Sequence, residues 1–198
     1  MKSIYQLTVT TLILTIILIL TNFIFIANAS AGNVEWIMDV QKQHHVKQDR
    51  KVAERIVDAV FTSALKHNLD PELLLKVIYV ESKFNPRSIS PCGAKGLTQV
   101  IPRYHKDKIK GRDIFNIEAN IDVGAQAYLE YAKKYPTIEM ALNAYNGRLK
   151  HNPYAKLVLS VKIPNIQADD SPVLANTENL EQVKSVITMG VAIANDVA

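Results

Sequence analysis

Cysteine is almost missing from this chain: Cys92 is the only one. No internal disulfide can form, so in any compartment the core must supply stability unaided. No histidine lies close to Cys92 in sequence, which leaves a nucleophilic role without its base and makes a buried or half-buried thiol the expectation. Also missing is a dense Lys/Arg stripe interleaved with aromatics, which argues against nucleic acid as a partner. The basic residues Lys106, Lys108, Lys110 and Arg112 read instead as a solvated segment. No histidines stand at a metal-ligand spacing, and the adjacent His44 and His45 cannot share a helix face. No metal or cofactor is therefore expected. Runs of alternating apolar residues and fixed-period repeats are lacking as well, which removes sheet and solenoid architectures.

What is present begins with Met1, Lys2, an uncharged apolar run from Leu7 to Ile26, and then Ala27, Asn28 and Ala29. That is the pattern of a secretory signal peptide over 1–29, cut after Ala29, with a mature chain starting near Ser30. The alternative is an uncleaved anchor, because the run approaches the roughly 20 residues a membrane helix needs. Either reading puts the folded part in the periplasm or cell envelope. Of the 23 basic residues only Lys2 lies in that segment, leaving 22 against 19 acidic ones, a mild positive balance that favours encounter with an anionic polymer. Residues 30–163 are long enough for one domain with a real core. Residues 164–198 read as a polar linker carrying Pro164 and Pro172, followed by an amphipathic helix with Leu180, Val183, Ile187, Val191 and Ala194 on one face.

The domain itself reads as mainly α. Between 34 and 67, Val52, Ile56, Ala59, Val60 and Ala64 recur at helical spacing. A second helix announces itself three times over: Asp70 to cap, Pro71 for the first turn and Glu72 to complement the dipole. Leu69 and Leu74 are placed for a hydrophobic staple, and Pro86 ends the helix near Ser82 by forcing Asn85 out of the helical region. Residues 85–96, rich in Pro, Ser and Gly, predict a compact ordered loop. Ile117, Ile121, Gly124, Tyr128 and Ala132 predict another helix, and Thr137 caps a last one over Ile138 to Tyr145, with Gly147 just past its end.

On the second helix Leu74, Val77, Ile78 and Glu81 share one face. A carboxylate on an apolar stripe has its proton held more tightly by desolvation, which is what a general acid needs near neutral pH. The competing reading is a helix-end carboxylate that turns to solvent or pairs with Lys83 or Arg87. Downstream, Ser90 precedes Gly93, and Gly96, Leu97, Thr98 and Gln99 come after it; Gly93 and Gly96 can supply backbone angles closed to other residues. Gln99 and Asn146 carry both donors and acceptors, which suits a polar ligand but equally suits tying loops together. Tyr145 can position substrate through its hydroxyl or simply pack its ring.

Taken in order, Glu81-Ser82-Lys83-Phe84-Asn85-Pro86, then Ser90 through Pro102, then Ala141-Leu142-Asn143-Ala144-Tyr145-Asn146 resemble the three blocks of the lytic transglycosylases of the soluble Slt type. Leu69 to Leu74 resembles that family's entry to its catalytic helix. The resemblance covers about 67–147 and implies a lysozyme-like, mainly α domain with a glycan-binding groove. Glu81 would be the catalytic acid and base, Ser90 the serine near it, Gln99 a groove polar residue and Tyr145 the tyrosine facing the reaction, with Asn146 beside it. It further implies a peptidoglycan glycan strand as partner, cut at the beta-1,4 bond between N-acetylmuramic acid and N-acetylglucosamine, leaving a 1,6-anhydro end. Departures are Thr98 and Ile101, where the family often has methionine, and Gly147-Arg148, where it has Ala-Gly after the asparagine. Two alternatives stand beside this reading. One is a lysozyme-type hydrolase with Asp113 or Asp122 as second carboxylate; the other is an inactive peptidoglycan-binding accessory. Size and export also suit an enzyme that opens the wall for a secretion, conjugation or pilus apparatus.

Overall fold

A computed structural model describes residues 30–150 and 152–164. The signal or anchor segment and the tail beyond 164 lie outside the described residues. Among those described, no helix is long and apolar enough to cross a membrane, and no strand forms beyond single bridges joining Ile89 to Lys95 and Lys95 to Val100. The mainly α reading of the sequence holds for this part.

The helices are α1 (residues 30–43), α2 (Arg50–His67), α3 (Pro71–Ser82), α4 (Lys106–Ile109), α5 (Ile117–Lys134), α6 (Ile138–Tyr145) and α7 (Tyr154–Ser160), with a 3-10 turn at Pro102–Tyr104. The stretch 34–67 is thus two helices. His45 adopts a left-handed backbone at the break, and Asp49 caps α2 by accepting from the backbone N–H of Lys51 and Val52. The start of α3 obeys the sequence signals directly: Asp70 accepts from Glu72 N–H at 2.8 Å and Pro71 occupies the first turn. Thr137 caps α6 by accepting from Met140 N–H.

Two clusters hold α3 in place. One gathers Val77 of α3, Tyr128 of α5, Ala141 and Leu142 of α6, and Tyr154, Ala155 and Val158 of α7 into a buried core, so α7 closes over α3 and α6. The other stacks Trp36 of α1 on Tyr79 and sets it edge-on to Phe84. Phe84 is fully buried at a left-handed backbone, and Gln41 of α1 donates to its carbonyl at 3.0 Å, which fixes the chain as it leaves α3.

From there residues 85–101 fold back across α5, and Asn120 is their anchor. Its amide nitrogen donates to the carbonyls of Lys95 and Ile114 at 3.0 and 2.9 Å. Its amide oxygen accepts from the backbone N–H and hydroxyl of Thr98, both at 2.8 Å. The approach is close enough that only glycine fits on either side. A Cβ at Gly96, whose φ is +76°, would collide with the Asn120 side chain, and one at Gly124 would stand 2.5 Å from Thr98 Cβ. Thr98, where methionine is frequent in the resembled family, is therefore matched to this helix surface.

Two further sequence-based expectations fail in the folded chain. The basic segment is not uniformly solvated: Lys108 is buried and bonds Glu130 and Asp107 at 2.8 and 3.0 Å. Arg112, with Lys66, His67 and Gln126, donates to the buried carboxylate of Asp122. Burial pushes the Asp122 carboxyl upward, but these donors outweigh it and hold the acid well below the usual carboxylate range. Cys92, for its part, is exposed rather than buried.

Candidate functional site

Glu81 sits in the last turn of α3, one turn beyond Val77 and Ile78, both buried. The helix stops because Lys83 turns into the left-handed region, leaving the Glu81 carboxylate half-buried at the wall of a cleft. Glu81 does not turn to open solvent, and its hydrogen-bond partner is neither Lys83 nor Arg87. The Tyr154 hydroxyl donates to Glu81 Oε1 at 2.6 Å. Burial raises the Glu81 pKa, while the Tyr154 bond and then the Lys83 charge pull it back. Desolvation dominates, so the carboxyl holds its proton more tightly than an ordinary glutamate. Lys83 itself lies over the Tyr79 ring at 3.9 Å, and burial lowers its pKa.

The cleft has a volume of about 370 Å³, and its lining includes all five residues singled out from sequence: Glu81, Ser90, Gln99, Tyr145 and Asn146. They play unequal local parts. Ser90 Oγ accepts from Ala94 N–H at 3.1 Å, bracing the loop, with its own proton still to give. Gln99 donates to the carbonyls of Gly96 and Ser88 at 2.9 and 3.3 Å, so its nitrogen ties the loop together and only its oxygen is left for a ligand. Tyr145 donates to the Thr98 carbonyl at 2.7 Å and meets Tyr128 and Tyr131 edge-on. Asn146 is exposed and accepts from Asn152 at 3.1 Å.

Tyr154 is the residue that sequence reasoning missed. It begins α7, seven residues long, and its approach to Glu81 spans 73 positions. A local signal did exist. Asn152 accepts from Tyr154 N–H at 3.0 Å, an Asx-Pro start of the kind that opens helices, with Ala155 and Val158 next on the buried face. Burial, and then the neighbouring Glu81 charge, keep the phenols of Tyr145 and Tyr154 protonated far above their ordinary range. Tyr154 is therefore a permanent donor to Glu81.

No other carboxylate among the described residues lines this cleft. Asp113 accepts from Phe115 N–H and borders a separate hollow. Asp122 is occupied by its donors beside yet another. Neither stands across from Glu81, so the hydrolase alternative loses both of its candidate second acids. Among the described residues no three His, Cys, Asp or Glu side chains come together as metal ligands.

Three relatives each align with less than half of the chain. A transglycosylase of Enterobacteria phage PRD1 is 33% identical over 90 residues, covering 46% of this chain and 34% of the relative. The membrane-bound lytic murein transglycosylase C of Actinobacillus pleuropneumoniae serotype 5b is 40% identical over 85 residues, 43% of this chain and 18% of the relative. The membrane-bound lytic murein transglycosylase E of Buchnera aphidicola subsp. Acyrthosiphon pisum is 32% identical over 87 residues, 39% of each. The chain thus spans between 18% and 39% of the length of these relatives. The family profile described as the transglycosylase SLT domain matches residues 58–157. That stretch is half of the chain and holds every residue named around Glu81, so the chain belongs to the transglycosylase SLT domain family.

Proposed function

We propose that this protein is an exported lytic transglycosylase of peptidoglycan. It cuts the beta-1,4 bond between N-acetylmuramic acid and N-acetylglucosamine and leaves a 1,6-anhydro end. The observation that carries the reading is that, among the described residues, a single carboxyl lines the cleft, half-buried with a raised pKa. A paired-acid hydrolase needs a second carboxylate for water or for a covalent intermediate; an intramolecular attack does not. Glu81 gives its proton to the glycosidic oxygen as the bond to the anomeric carbon breaks. The resulting carboxylate, held by Tyr154, then takes the proton of the muramic acid 6-hydroxyl, whose oxygen closes on the anomeric carbon. Glu81 ends protonated, as it began. Ser90 and Asn146 offer polar contacts to the strand, and the relatives' names, murein and membrane-bound, agree with an envelope location and with a signal peptide over 1–29. The domain would occupy 30–163, with 164–198 as linker and helix. Service to a secretion, conjugation or pilus apparatus fits that placement.

The test is digestion of purified peptidoglycan followed by mass spectrometry of the ends. Anhydro-muramic ends are expected. Reducing ends would make the protein a hydrolase, and intact glycan would make it a binder.

Tyr154→Phe separates the acid from the base role. The hydroxyl stabilises the ionised form of Glu81, so removing it raises the carboxyl's pKa further. The protonated acid then survives to higher pH. The alkaline limb of the pH-rate profile, which reports loss of that proton, should move upward. The maximal rate should fall about tenfold, roughly the worth of one charge-assisted hydrogen bond. An alkaline limb that stays in place or moves down would show that Tyr154 does not govern the Glu81 proton.

A further inference from the structure

One titratable side chain in the cleft has no part in this chemistry. His105 comes just after the 3-10 turn, is half-buried, and lines the cleft beside Tyr104. Its backbone is fastened on both sides: its N–H donates to the Pro102 carbonyl at 3.3 Å, and its carbonyl accepts from Lys108 and Ile109 N–H at 3.1 and 2.9 Å. The ring is thus presented from a fixed point. Its Nδ1 is buried with no hydrogen-bond partner.

That orphan nitrogen decides where the proton sits. A buried N–H without an acceptor is rarer and worse tolerated than a buried bare acceptor, so Nδ1 is the bare nitrogen and the proton is on Nε2. Doubly protonating the ring would bury an unpaired donor together with a charge. The surroundings agree, since burial and then the Lys108 charge lower the His105 pKa, against weaker pulls from Glu130 and Asp107. Those two carboxylates are engaged by the Lys108 ammonium at 2.8 and 3.0 Å, which leaves the imidazole uncompensated. Because Nδ1 is sealed off, the edge that reaches the cleft is the one bearing Nε2. On the same wall Tyr104 is 64% exposed, with the Arg103 guanidinium over its ring at 4.7 Å, and the rest of this amphipathic ring suits a partner with one apolar and one polar side.

We infer that His105 is a glycan-binding residue: a neutral imidazole whose Nε2–H donates to an acetamido or hydroxyl oxygen of an N-acetylhexosamine lying against Tyr104. This rests on the proposed glycan reading of the cleft and adds a recognition point apart from Glu81. The donor is fixed in direction and stays neutral, so it recognises an uncharged sugar oxygen without adding charge to the cleft.

The experiment measures binding of a tetramer of beta-1,4-linked N-acetylglucosamine by calorimetry, using full-length Glu81→Gln chain as the uncut parent. Adding His105→Leu removes the donor and should weaken binding about fivefold to tenfold, the range for one hydrogen bond. Adding His105→Gln, whose amide nitrogen reaches the place of Nε2, should stay within about twofold of the parent. In ¹⁵N-histidine spectra of the wild type, the signals that vanish in His105→Gln should show a protonated Nε2 and a bare Nδ1. Equal affinity across all three chains, equal loss in Leu and Gln, or an Nδ1–H or doubly protonated ring at neutral pH each overturns the assignment. Failure of the parent to bind the tetramer, together with uncut peptidoglycan from the wild type, instead overturns the glycan reading itself and His105's role with it.

Discussion

Glu81→Gln should abolish cutting while leaving the fold intact. Among the described residues Glu81 is the only carboxyl that lines the cleft, and its replacement removes the proposed carrier of the leaving-group and 6-hydroxyl protons. The rate should drop at least about 100-fold to 10,000-fold, the usual contribution of general acid-base catalysis. The amide keeps the shape and can still accept from Tyr154. Stability should not fall and should rise in one direction of pH. The carboxyl's folded pKa is raised by burial, so its protonated form costs the fold least, and the cost of ionising it appears as pH climbs above about 4.3, the unfolded value. The Gln variant escapes that cost. Its unfolding midpoint should match wild type in acid and exceed it near neutrality. Anhydro ends released by the variant at the wild-type rate would remove Glu81 from the mechanism.

The largest stability effect is expected at Asn120→Ala. Asn120 is 1% exposed, and its side chain satisfies the backbone N–H of Thr98 and the carbonyls of Lys95 and Ile114. Truncation takes the partner from one buried and two part-buried backbone groups and leaves a void under Gly96. Each orphan costs about 1–3 kcal/mol, so a total loss of about 3–5 kcal/mol should appear as a lower urea midpoint with an unchanged slope. Activity should fall with it, because the same loop carries Ser90 and Gln99 to the cleft. A loss below about 1 kcal/mol would mean that water replaces the amide in place.

How much of the fold and the cleft is legible in the sequence depends on the range of each interaction. The ends of α3 and α6 are readable because their causes are local: Asp70 and Thr137 cap within three residues, and Pro71 and Pro86 act on their own neighbours. The apolar face of α3 is readable from spacing alone, and so is the oddity of Glu81 upon it. The break between α1 and α2 is harder, since helical spacing runs through 34–67 while His45 and Asp49 do the interrupting. Gln99 is open in sequence between sugar contact and loop tie, and its nitrogen takes the tie.

Sequence by itself determined the helical class, the position of the acid on a buried stripe, and the three blocks that announced the family. All of these are read at separations of a few residues or by resemblance. Only the tertiary structure decided which groups meet. Tyr154 reaches Glu81 across 73 positions, Asn120 holds a loop 25 positions away, and Lys108 leaves solvent for Glu130. Asp113 and Asp122 turn out to stand elsewhere. The reason is physical. Periodicity and capping record what a residue does to its own helix, whereas a hydrogen bond between distant segments depends on how whole helices pack, and packing is set by the sum of the buried surfaces rather than by either partner.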